Sequence, residues 1–243
     1  MKIYLIGLGP GGREYMTDEA IKAIEMCDTV VGYTVYTDLI SSMTEGKKVI
    51  STGMKREVER CRLALDEALS GRTVAFVCSG DSGVYGMAGV MAEVAADHPE
   101  VELKVISGVT AATSGAALLG APLTHDFAVI SLSDLLTPLE LIKKRINCAA
   151  EADFVICLYN PRSKNRPDYL RMCCDIVLEH RDKNTPCGYV KNIGREGEKA
   201  VITTLKELRD CTDVDMFTTV FIGNSATKVI NGRMVTPRGY RDV

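Results

Sequence analysis

The sequence predicts an α/β protein with two α/β domains, and three observations lead to this fold class. Up to about residue 118, short apolar strands alternate with helical stretches, which predicts a mostly parallel sheet covered by helices. Beyond the break "LLGAPLTHD", β-type runs follow one another more closely, which indicates a mixed sheet. The 243 residues are enough to give two domains a core each. We therefore predict domains at 1–120 and 121–243.

The helices and strands of the first domain are predicted from the spacing of apolar residues and from residues that typically begin or end a helix. Thr17 precedes an apolar helical face and is the expected N-cap of a helix over 17–28. A second helix over 56–71 ends at a glycine, a common stop signal, and a third begins at 84. The predicted buried stripe of the second helix comprises Val58, Cys61, Leu65, Ala68 and Leu69. Strands are expected at 2–7, 29–32, 47–51, 72–80 and 101–107.

The second domain is predicted to hold two helices and five strands. The helices are expected at 138–151 and near 166–181. The strands are expected at 127–134, 152–160, 187–192, 198–204 and 218–224. The last stretch, "GRMVTPRGYRDV", is polar and is expected to be a loosely held tail.

Composition argues against several classes of protein. The net charge of −3 argues against a nucleic-acid partner, because phosphate contacts usually need a basic excess. The apolar run at the N-terminus is too short for a signal peptide, and no stretch has membrane-spanning length. Nine cysteines are scattered without any C-x-x-C spacing, so we predict no metal site and interpret them as reduced structural thiols. The expected location is the cytoplasm.

Two glycine turns are the candidate ligand sites. "GLGPGG", from Gly7 to Gly12, satisfies the dinucleotide pattern G-x-G-x-x-G after a strand. Pro10 removes a backbone N–H from that loop, the helix begins late, and no acid ends the second strand, so the turn argues against NAD. The second turn, "SGDSG", runs from Ser79 to Gly83. Its Asp81 is either the cap of the following helix or a strand-end carboxylate that faces a crevice.

Taken together, the motifs resemble the tetrapyrrole methyltransferase family. The likeness lies in "GLGPG", "SGDSGVYGMA" and "VISGVTAATSGAALLGAPL", and it covers nearly the whole chain. The later stretches "HDFAVISLSDLLTP" and "VICLYNPRSKNRPDYL" are most similar to members that methylate C17 of precorrin-3B or cobalt-factor III in cobalamin biosynthesis. Many relatives have Gly-Asp-Pro where this chain has Gly80-Asp81-Ser82, so we expect a turn of changed rigidity.

The resemblance implies a cofactor, S-adenosylmethionine (SAM), held in a cleft between two α/β domains. SAM carries no phosphate, so backbone groups, small side chains and apolar contacts can hold it. The implied contacts are Pro10, Ser79, Gly80, Asp81, Val84, Thr110, Ala111, Tyr159, Asn160, Asn192 or Ile193, and the Thr218–Thr219 strand. The residues alone also allow simpler roles, such as a helix cap for Thr110 and a turn for Asn160. A homodimer is expected from the family.

The implied substrate is a tetrapyrrole with many carboxylates, which an acidic protein must meet with local cations. The loop "NPRSKNR" supplies Arg162, Lys164 and Arg166, although a solvated loop is the simpler interpretation. Ser131 and Ser133 are further candidate substrate contacts.

The resemblance also implies contraction of the macrocycle during methylation, which moves protons and needs an acid or base. We favour Asp81 and Asp134, with His125 as a third candidate and Tyr85 as a further one. His125 beside Asp126 is equally consistent with a structural pair, and Asp134 with the N-cap of the next helix.

Alternatives remain open at this point. Another family member, such as the precorrin-4 or uroporphyrinogen-III methyltransferase, is the nearest, although "SLSDLLTP" and "YNPRSK" argue against it. An NAD(P)-dependent oxidoreductase that uses "GLGPGG" and a non-catalytic tetrapyrrole-binding module are alternatives from other classes. The residues do not decide whether the substrate carries cobalt.

Overall fold

The computed structural model describes residues 1–241 and confirms the α/β class. The chain divides into two compact units, residues 1–110 and residues 111 onward. This division lies before the predicted boundary near residue 120. The helix after the division packs on the sheet of the second unit, where Gly115 lies against Phe221 and Ile193.

The first unit is a five-stranded sheet in the order β3-β2-β4-β1-β5. Every neighbouring pair of strands is parallel, which confirms the predicted parallel sheet. The strands are β1 Lys2–Gly7, β2 Thr29–Tyr33, β3 Lys48–Thr52, β4 Thr73–Cys78 and β5 Glu102–Ile106. Strand β4 is central, and its residues 74–78 are all buried, as a continuous apolar run in a covered sheet requires. All five strands therefore present their carboxyl ends at one edge of the sheet.

The bounds of the helices of the first unit differ from the prediction in two respects. These helices are α1 Asp18–Met26, α2 Thr34–Leu39, α3 Glu57–Leu69 and α4 Ala88–Val94. Thr17 caps α1 as predicted, since its hydroxyl accepts the N–H of Ala20 at 3.2 Å. Helix α2 was not predicted, and α4 begins at 88 rather than 84 because the turn before it continues.

The buried stripe of α3 is rotated from the predicted one. Cys61, Leu65 and Ala68 are buried as expected, but Val58 and Leu69 are 47% and 37% exposed. The stripe is completed by Arg60 and Ala64 instead. The prediction failed because it excluded a charged residue from the buried face, whereas the buried Arg60 reaches polar groups at the end of β3.

The main sheet of the second unit is mixed, as predicted, and its strands lie in the order β10-β9-β11-β8-β7. The β7–β8 pair is parallel, and the other pairs are antiparallel. The strands of the second unit are β6 Gly120–Ala121, β7 Phe127–Ser131, β8 Val155–Tyr159, β9 Pro186–Lys191, β10 Lys199–Thr204, β11 Thr218–Ile222, β12 Lys228–Ile230 and β13 Arg233–Val235. Its helices are α5 Ala111–Leu119, α6 Leu139–Glu151, α7 Tyr169–Leu178 and α8 Leu205–Arg209.

The predicted loose tail is wrong for the residues up to 236. Strand β13 pairs antiparallel with β12 and parallel with β6, and together they form a small third sheet. Met234 is fully buried in a core cluster with α5, and the hydroxyls of Thr236 and Thr227 are 2.8 Å apart. One apolar side chain therefore anchors a segment whose composition is polar. The end of the predicted tail, at 242–243, lies outside the described residues.

Seven of the nine cysteines are buried, which agrees with their interpretation as structural thiols. All nine are free, and Cys148 is exposed. Burial raises the pKa of Cys61 to about 11 and that of Cys78 to about 12. These thiols remain protonated and behave as small hydrophobic side chains. None of the helices formed by residues 1–241 has the length and apolar character that crossing a membrane requires.

Candidate functional site

The backbones at the carboxyl ends of three neighbouring strands of the first unit touch one another. A Cβ added to Gly7, the last residue of β1, would lie 2.6 Å from the Gly80 oxygen and 2.6 Å from the Gly108 nitrogen. A Cβ added to Gly108, after β5, would lie 2.2 Å from the Gly80 oxygen. Neither position can hold a side chain without a shift of the backbone. These glycines are therefore required by close approach of the chain.

The two glycine turns of the sequence form one structure. Gly9 donates its N–H to the Gly80 carbonyl at 3.0 Å, and Gly80 donates to the Gly9 carbonyl at 2.8 Å. Both residues have a positive φ, +75° for Gly9 and +64° for Gly80. "GLGPG" and "SGDSG" thus meet at the carboxyl edge of the sheet, where open α/β sheets bind ligands. Pro10 and Ser79 lie in these paired turns.

Asp81 organises the backbone of this region. Its Oδ1 accepts the N–H groups of Gly83 at 2.8 Å and Val84 at 3.1 Å. Its Oδ2 accepts the N–H of Gly108 at 2.9 Å. Because α4 begins only at Ala88, Asp81 is not the cap of that helix. The carboxylate instead joins the turn after β4 to the loop after β5, so both of its oxygens hold backbone.

Ser82 gives a physical account of the departure from Gly-Asp-Pro. Its side chain is fully buried, and its hydroxyl donates to the carbonyl of Leu5 at 2.9 Å. The carbonyl of Ile106 lies 3.4 Å from the same hydroxyl. A proline at this position has no hydroxyl and makes neither contact. The serine therefore ties the turn to β1 and β5, in place of the stiffness that a proline ring would supply.

The carboxyl ends of the parallel strands β7 and β8 form a second polar cluster, in the second unit. Asn160 has a φ of +52°, and its amide donates to the Ser131 hydroxyl oxygen at 3.0 Å. The same oxygen accepts the N–H of Ser133 at 3.2 Å. Tyr159 accepts the N–H of Ala112 on its phenol oxygen at 2.7 Å, at the first turn of α5. Four predicted site residues thus meet at these two strand ends.

Asp134 lies beside this cluster with a partner that sequence reasoning missed. Tyr169, the first residue of α7, donates its hydroxyl to Asp134 Oδ2 at 2.6 Å. The hydrogen bond to this carboxylate raises the pKa of the Tyr169 phenol. Helix α6 begins at Leu139 with Pro138 at its N-cap, so the helix-cap interpretation of Asp134 is wrong. A phenol bound to a carboxylate is a group that can hold a proton near a substrate.

The three cations of "NPRSKNR" have different environments. Arg166 is buried, and it donates to the Ser163 hydroxyl at 3.1 Å and to the Leu132 carbonyl at 3.4 Å. Its Nη1 lies 3.8 Å from Asp134. Arg162 donates to the carbonyl of Thr212 at 3.1 Å, and Lys164 is exposed. The solvated-loop interpretation is therefore wrong for Arg166, which anchors the loop.

His125 makes a local contact. Its Nδ1 accepts the backbone N–H of Asp126 at 2.8 Å, and the Asp126 carboxylate lies 3.5 Å from the same nitrogen. The side chain is about half exposed. This geometry agrees with the structural-pair interpretation more closely than with that of a proton donor.

The remaining predicted cofactor residues lie near strand or helix ends. Thr110 precedes α5, and Ala111 is its first residue. Asn192 follows β9 with a φ of +49° and donates its N–H to the Phe217 carbonyl at 3.1 Å. Ile193 and Thr219 are buried. Within residues 1–241, no three His, Cys, Asp or Glu side chains lie close enough to hold a metal ion.

An ion-pair network lies on the second sheet near Asn192. Lys191 contacts Asp213 and Asp215, each at 3.1 Å, and Lys199 contacts Asp213 at 2.6 Å. Hydrogen bonds from Lys199 and then Lys191 lower the pKa of Asp213 to about 2. Lys191 is thus neutralised by carboxylates of its own chain.

This network should make stability depend on pH below about 4, the pKa of an unfolded aspartate. Because the pKa of Asp213 is lowered on folding, its contribution is complete above pH 4 and is lost as pH falls toward 2. We expect the thermal midpoint of Asp213→Asn to lie below that of the wild type at pH 6. The difference should close between pH 4 and 2, and 1 M salt should reduce it. A difference that is independent of pH would contradict this assignment.

Comparison with known proteins identifies similar chains along almost the full length. Residues 2–209 match the family model described as tetrapyrrole (corrin/porphyrin) methylases. The chain is 49% identical over 237 residues to a probable cobalt-factor III C(17)-methyltransferase of Salmonella typhimurium, covering 97% of this chain and 98% of that protein. It is 37% identical to a precorrin-3B C(17)-methyltransferase of a Sinorhizobium species, covering 98% and 96%.

A solved structure agrees with these similarities. The crystal structure of the methyltransferase CobJ superimposes with a TM-score of 0.88 at 36% sequence identity. The superposition covers 97% of this chain and 98% of that one. The similarity therefore includes both units of the chain.

Proposed function

The chain belongs to the tetrapyrrole (corrin/porphyrin) methylase family, and we propose that it transfers a methyl group from SAM to C17 of cobalt-factor III. The family match and the similar relatives confirm the predicted family and the predicted class of enzyme, a methyltransferase. Cobalt-factor III is favoured over precorrin-3B because identity is 49% to the relative named for the first and 37% to the one named for the second. The proposed role is a step of cobalamin biosynthesis.

The observation that carries the proposal is the pair of joined glycine turns at the carboxyl edge of the first sheet. The turns offer backbone groups and small residues, and Pro10 contributes no N–H, which suits a ligand without phosphate. The same features fit a dinucleotide poorly. The donor set of this chain therefore fits SAM, whose chemistry is to supply an electrophilic methyl group on a sulfonium.

The chain's part in methyl transfer is alignment. Displacement at a methyl carbon needs the nucleophile, the carbon and the sulfur in line, and no covalent intermediate with the protein. In the first unit, we propose that Pro10, Ser79, Gly80, Val84 and Thr110 hold the donor, on a turn that Asp81 fixes. In the second unit, the proposed donor contacts are Ala111, Tyr159, Asn160, Asn192, Ile193 and Thr219. Each proposed contact is tested by replacing that residue with alanine, or with glycine for Ala111, and measuring the affinity of the variant for S-adenosylhomocysteine.

The coupled contraction of the macrocycle requires proton movement. We assign this role to Asp134 with its partner Tyr169, since the phenol O–H donates to the carboxylate at 2.6 Å. Asp81 is less suited, because backbone N–H groups engage both of its oxygens. Arg162 and Lys164 remain proposed contacts for substrate carboxylates, as do Ser131 and Ser133. Arg166 would act on the substrate through the loop that it anchors.

The experiment is anaerobic incubation of the protein with SAM and cobalt-factor III, and separately with precorrin-3B. Mass spectrometry follows the substrate, and incubation without SAM is the control. We expect a gain of one methyl group, faster on cobalt-factor III. A faster gain on precorrin-3B would reassign the substrate, and no gain on either would contradict the proposal. Titration with NAD tests the oxidoreductase alternative, which needs nucleotide binding.

We propose a homodimer located in the cytoplasm, as expected for the family. Light scattering after size-exclusion chromatography measures the oligomeric state, and fractionation of the native cell measures the location. A monomer at micromolar concentration, or recovery with membranes, would contradict this part of the proposal.

A further inference from the structure

Arg60 of the first unit is a buried cation that sequence reasoning left out. It is the fourth residue of α3 and is 5% exposed. Arginine is almost never buried to this extent unless it is paired with an anion. Its position near the positive end of a helix dipole makes an unpaired cation still less favourable. The residue therefore needs a physical reason to be where it is.

The contacts of Arg60 within the chain are all with neutral groups. Its Nε donates to the Thr52 hydroxyl at 2.7 Å, and Nη2 donates to the Gly53 carbonyl at 2.9 Å. The ring of Tyr33 lies 5.8 Å from the guanidinium carbon. Among residues 1–241, no carboxylate lies within 4.0 Å of its nitrogens. The burial of this charge is thus uncompensated by any anion of the described chain.

One amino group of Arg60 is available for another contact. Nη1 has no hydrogen-bond partner among the described residues. The only fully buried side-chain nitrogen without a partner in this part of the chain is Nε of Arg181. Nη1 of Arg60 is therefore not fully buried, and no group of residues 1–241 accepts its N–H groups.

Arg181 shows what a structural arginine looks like in this protein. It is also buried, but its amino groups donate to the carbonyls of Gly223, Ala149 and Phe154. Asp153 lies 4.0 Å from its Nε. The chain thus gives Arg181 three backbone acceptors and a counter-charge, whereas Arg60 has one backbone acceptor, the Gly53 carbonyl, and no counter-charge among the described residues.

Arg60 also lies at the edge where a ligand is expected. Its partners end β2 and β3, and β2 is the neighbour of β4, which leads into Ser79–Gly83. This strand end is held firmly. The Thr34 hydroxyl donates to the Thr52 carbonyl at 3.2 Å, and the hydroxyls of Thr37 and Ser51 are 2.7 Å apart. A fixed guanidinium with a free amino group is suited to binding a carboxylate.

We propose that Arg60 binds a carboxylate of a ligand at the carboxyl edge of the first sheet. This inference rests on the proposed function, which offers two sources of that group. One is the amino-acid carboxylate of SAM, and the other is a peripheral carboxylate of the tetrapyrrole. The bound carboxylate supplies the counter-charge that the chain itself lacks.

The test compares Arg60→Gln, Arg60→Lys and Thr52→Val with the wild type. Calorimetry measures the affinity for S-adenosylhomocysteine, and absorbance titration measures the affinity for cobalt-factor III. Arg60→Gln should weaken binding of one of these ligands about 10- to 100-fold, the usual range for a lost charge-assisted hydrogen bond. Binding of the other ligand should stay within about twofold, and the affected ligand identifies the source of the carboxylate.

Thr52→Val is the control for a merely structural role. It removes a tether of Arg60 and keeps its charge, so both affinities should stay within about threefold of the wild type, whatever the loss of thermal stability. Equal losses of affinity in Thr52→Val and Arg60→Gln would overturn the proposal. If Arg60→Gln does not fold, the ligand affinities of Arg60→Lys test the proposal instead. Lysine lacks the planar guanidinium that Thr52 and Gly53 hold in place, so its ammonium is not fixed toward the ligand and affinity should fall several-fold; unchanged affinity would overturn the proposal.

The outcomes separate this inference from the proposed function. If the wild type methylates cobalt-factor III while every Arg60 variant binds both ligands normally, only the carboxylate site is refuted. If the wild type methylates neither substrate but Arg60→Gln loses affinity for S-adenosylhomocysteine, the site stands and the substrate assignment fails. Failure of the wild type to bind either ligand refutes both.

Discussion

Replacing Gly108 by alanine should lower the free energy of unfolding by about 3 kcal/mol or more, the upper range for overpacking. A Cβ at this position would meet the Gly80 oxygen at 2.2 Å and the Gly7 oxygen at 2.5 Å. These atoms are backbone, so no flexible side chain can move aside. The three strand ends must separate, and the paired turns that we propose for SAM should lose their geometry.

Two measurements check this expectation. Urea unfolding gives the loss of stability, and calorimetry with S-adenosylhomocysteine should show affinity reduced beyond detection, even where the variant is still folded. The matched control is Gly89→Ala on α4, where an added Cβ meets nothing within 4 Å. That variant should be as stable as the wild type or up to about 1 kcal/mol more stable. Normal ligand affinity in a folded Gly108→Ala would contradict the assignment of these turns.

Replacing Asp81 by alanine should destabilise the protein by about 2 kcal/mol or more, because three backbone N–H groups lose a charged acceptor. The N–H groups of Gly83 and Val84 lie near the surface and can turn to water. The N–H of Gly108 is partly buried, and its lost acceptor carries most of the cost. The turn should become mobile, and affinity for S-adenosylhomocysteine should fall at least about tenfold.

Asp81→Asn separates this organising role from the catalytic one that the sequence suggested. An asparagine oxygen can still accept from Gly83 and Val84, but its amide then faces the N–H of Gly108, so stability and affinity should be intermediate. The pH profile of kcat should keep its shape in every variant that turns over. If Asp81 were catalytic, its variants would bind S-adenosylhomocysteine normally, and the pH dependence of kcat that is due to one ionising group would be lost.

The family and the fold class were readable from the sequence because they depend on local pattern. Strand β4 is a continuous apolar run, and its central place in a parallel sheet follows from that run. The glycine turns were found by the same means, since a backbone position that excludes a side chain leaves a glycine in the sequence. Thr17 was predicted as a cap because a cap acts within one turn of its helix.

The sequence-based predictions failed where the group that a residue contacts is distant in the chain. The polar composition of 232–243 hid the role of Met234, whose burial depends on α5 more than a hundred residues earlier. Arg60 was left out of the α3 stripe because a charged residue is normally on the solvent side. Tyr169 carried no signal at all, since nothing near it in sequence points to Asp134.

By itself, the sequence determined the α/β class, the order of most strands and helices, the methylase family and the two turns that offer a site. Only the tertiary structure decided what the charged groups do there. It joined the turns through Gly9 and Gly80, gave Asp81 three backbone donors, placed Tyr169 on Asp134, and left Arg60 buried without an anion. The reason is physical: period and turn chemistry act over a few neighbouring residues, whereas the state of a charge depends on which distant groups the fold brings within hydrogen-bond distance.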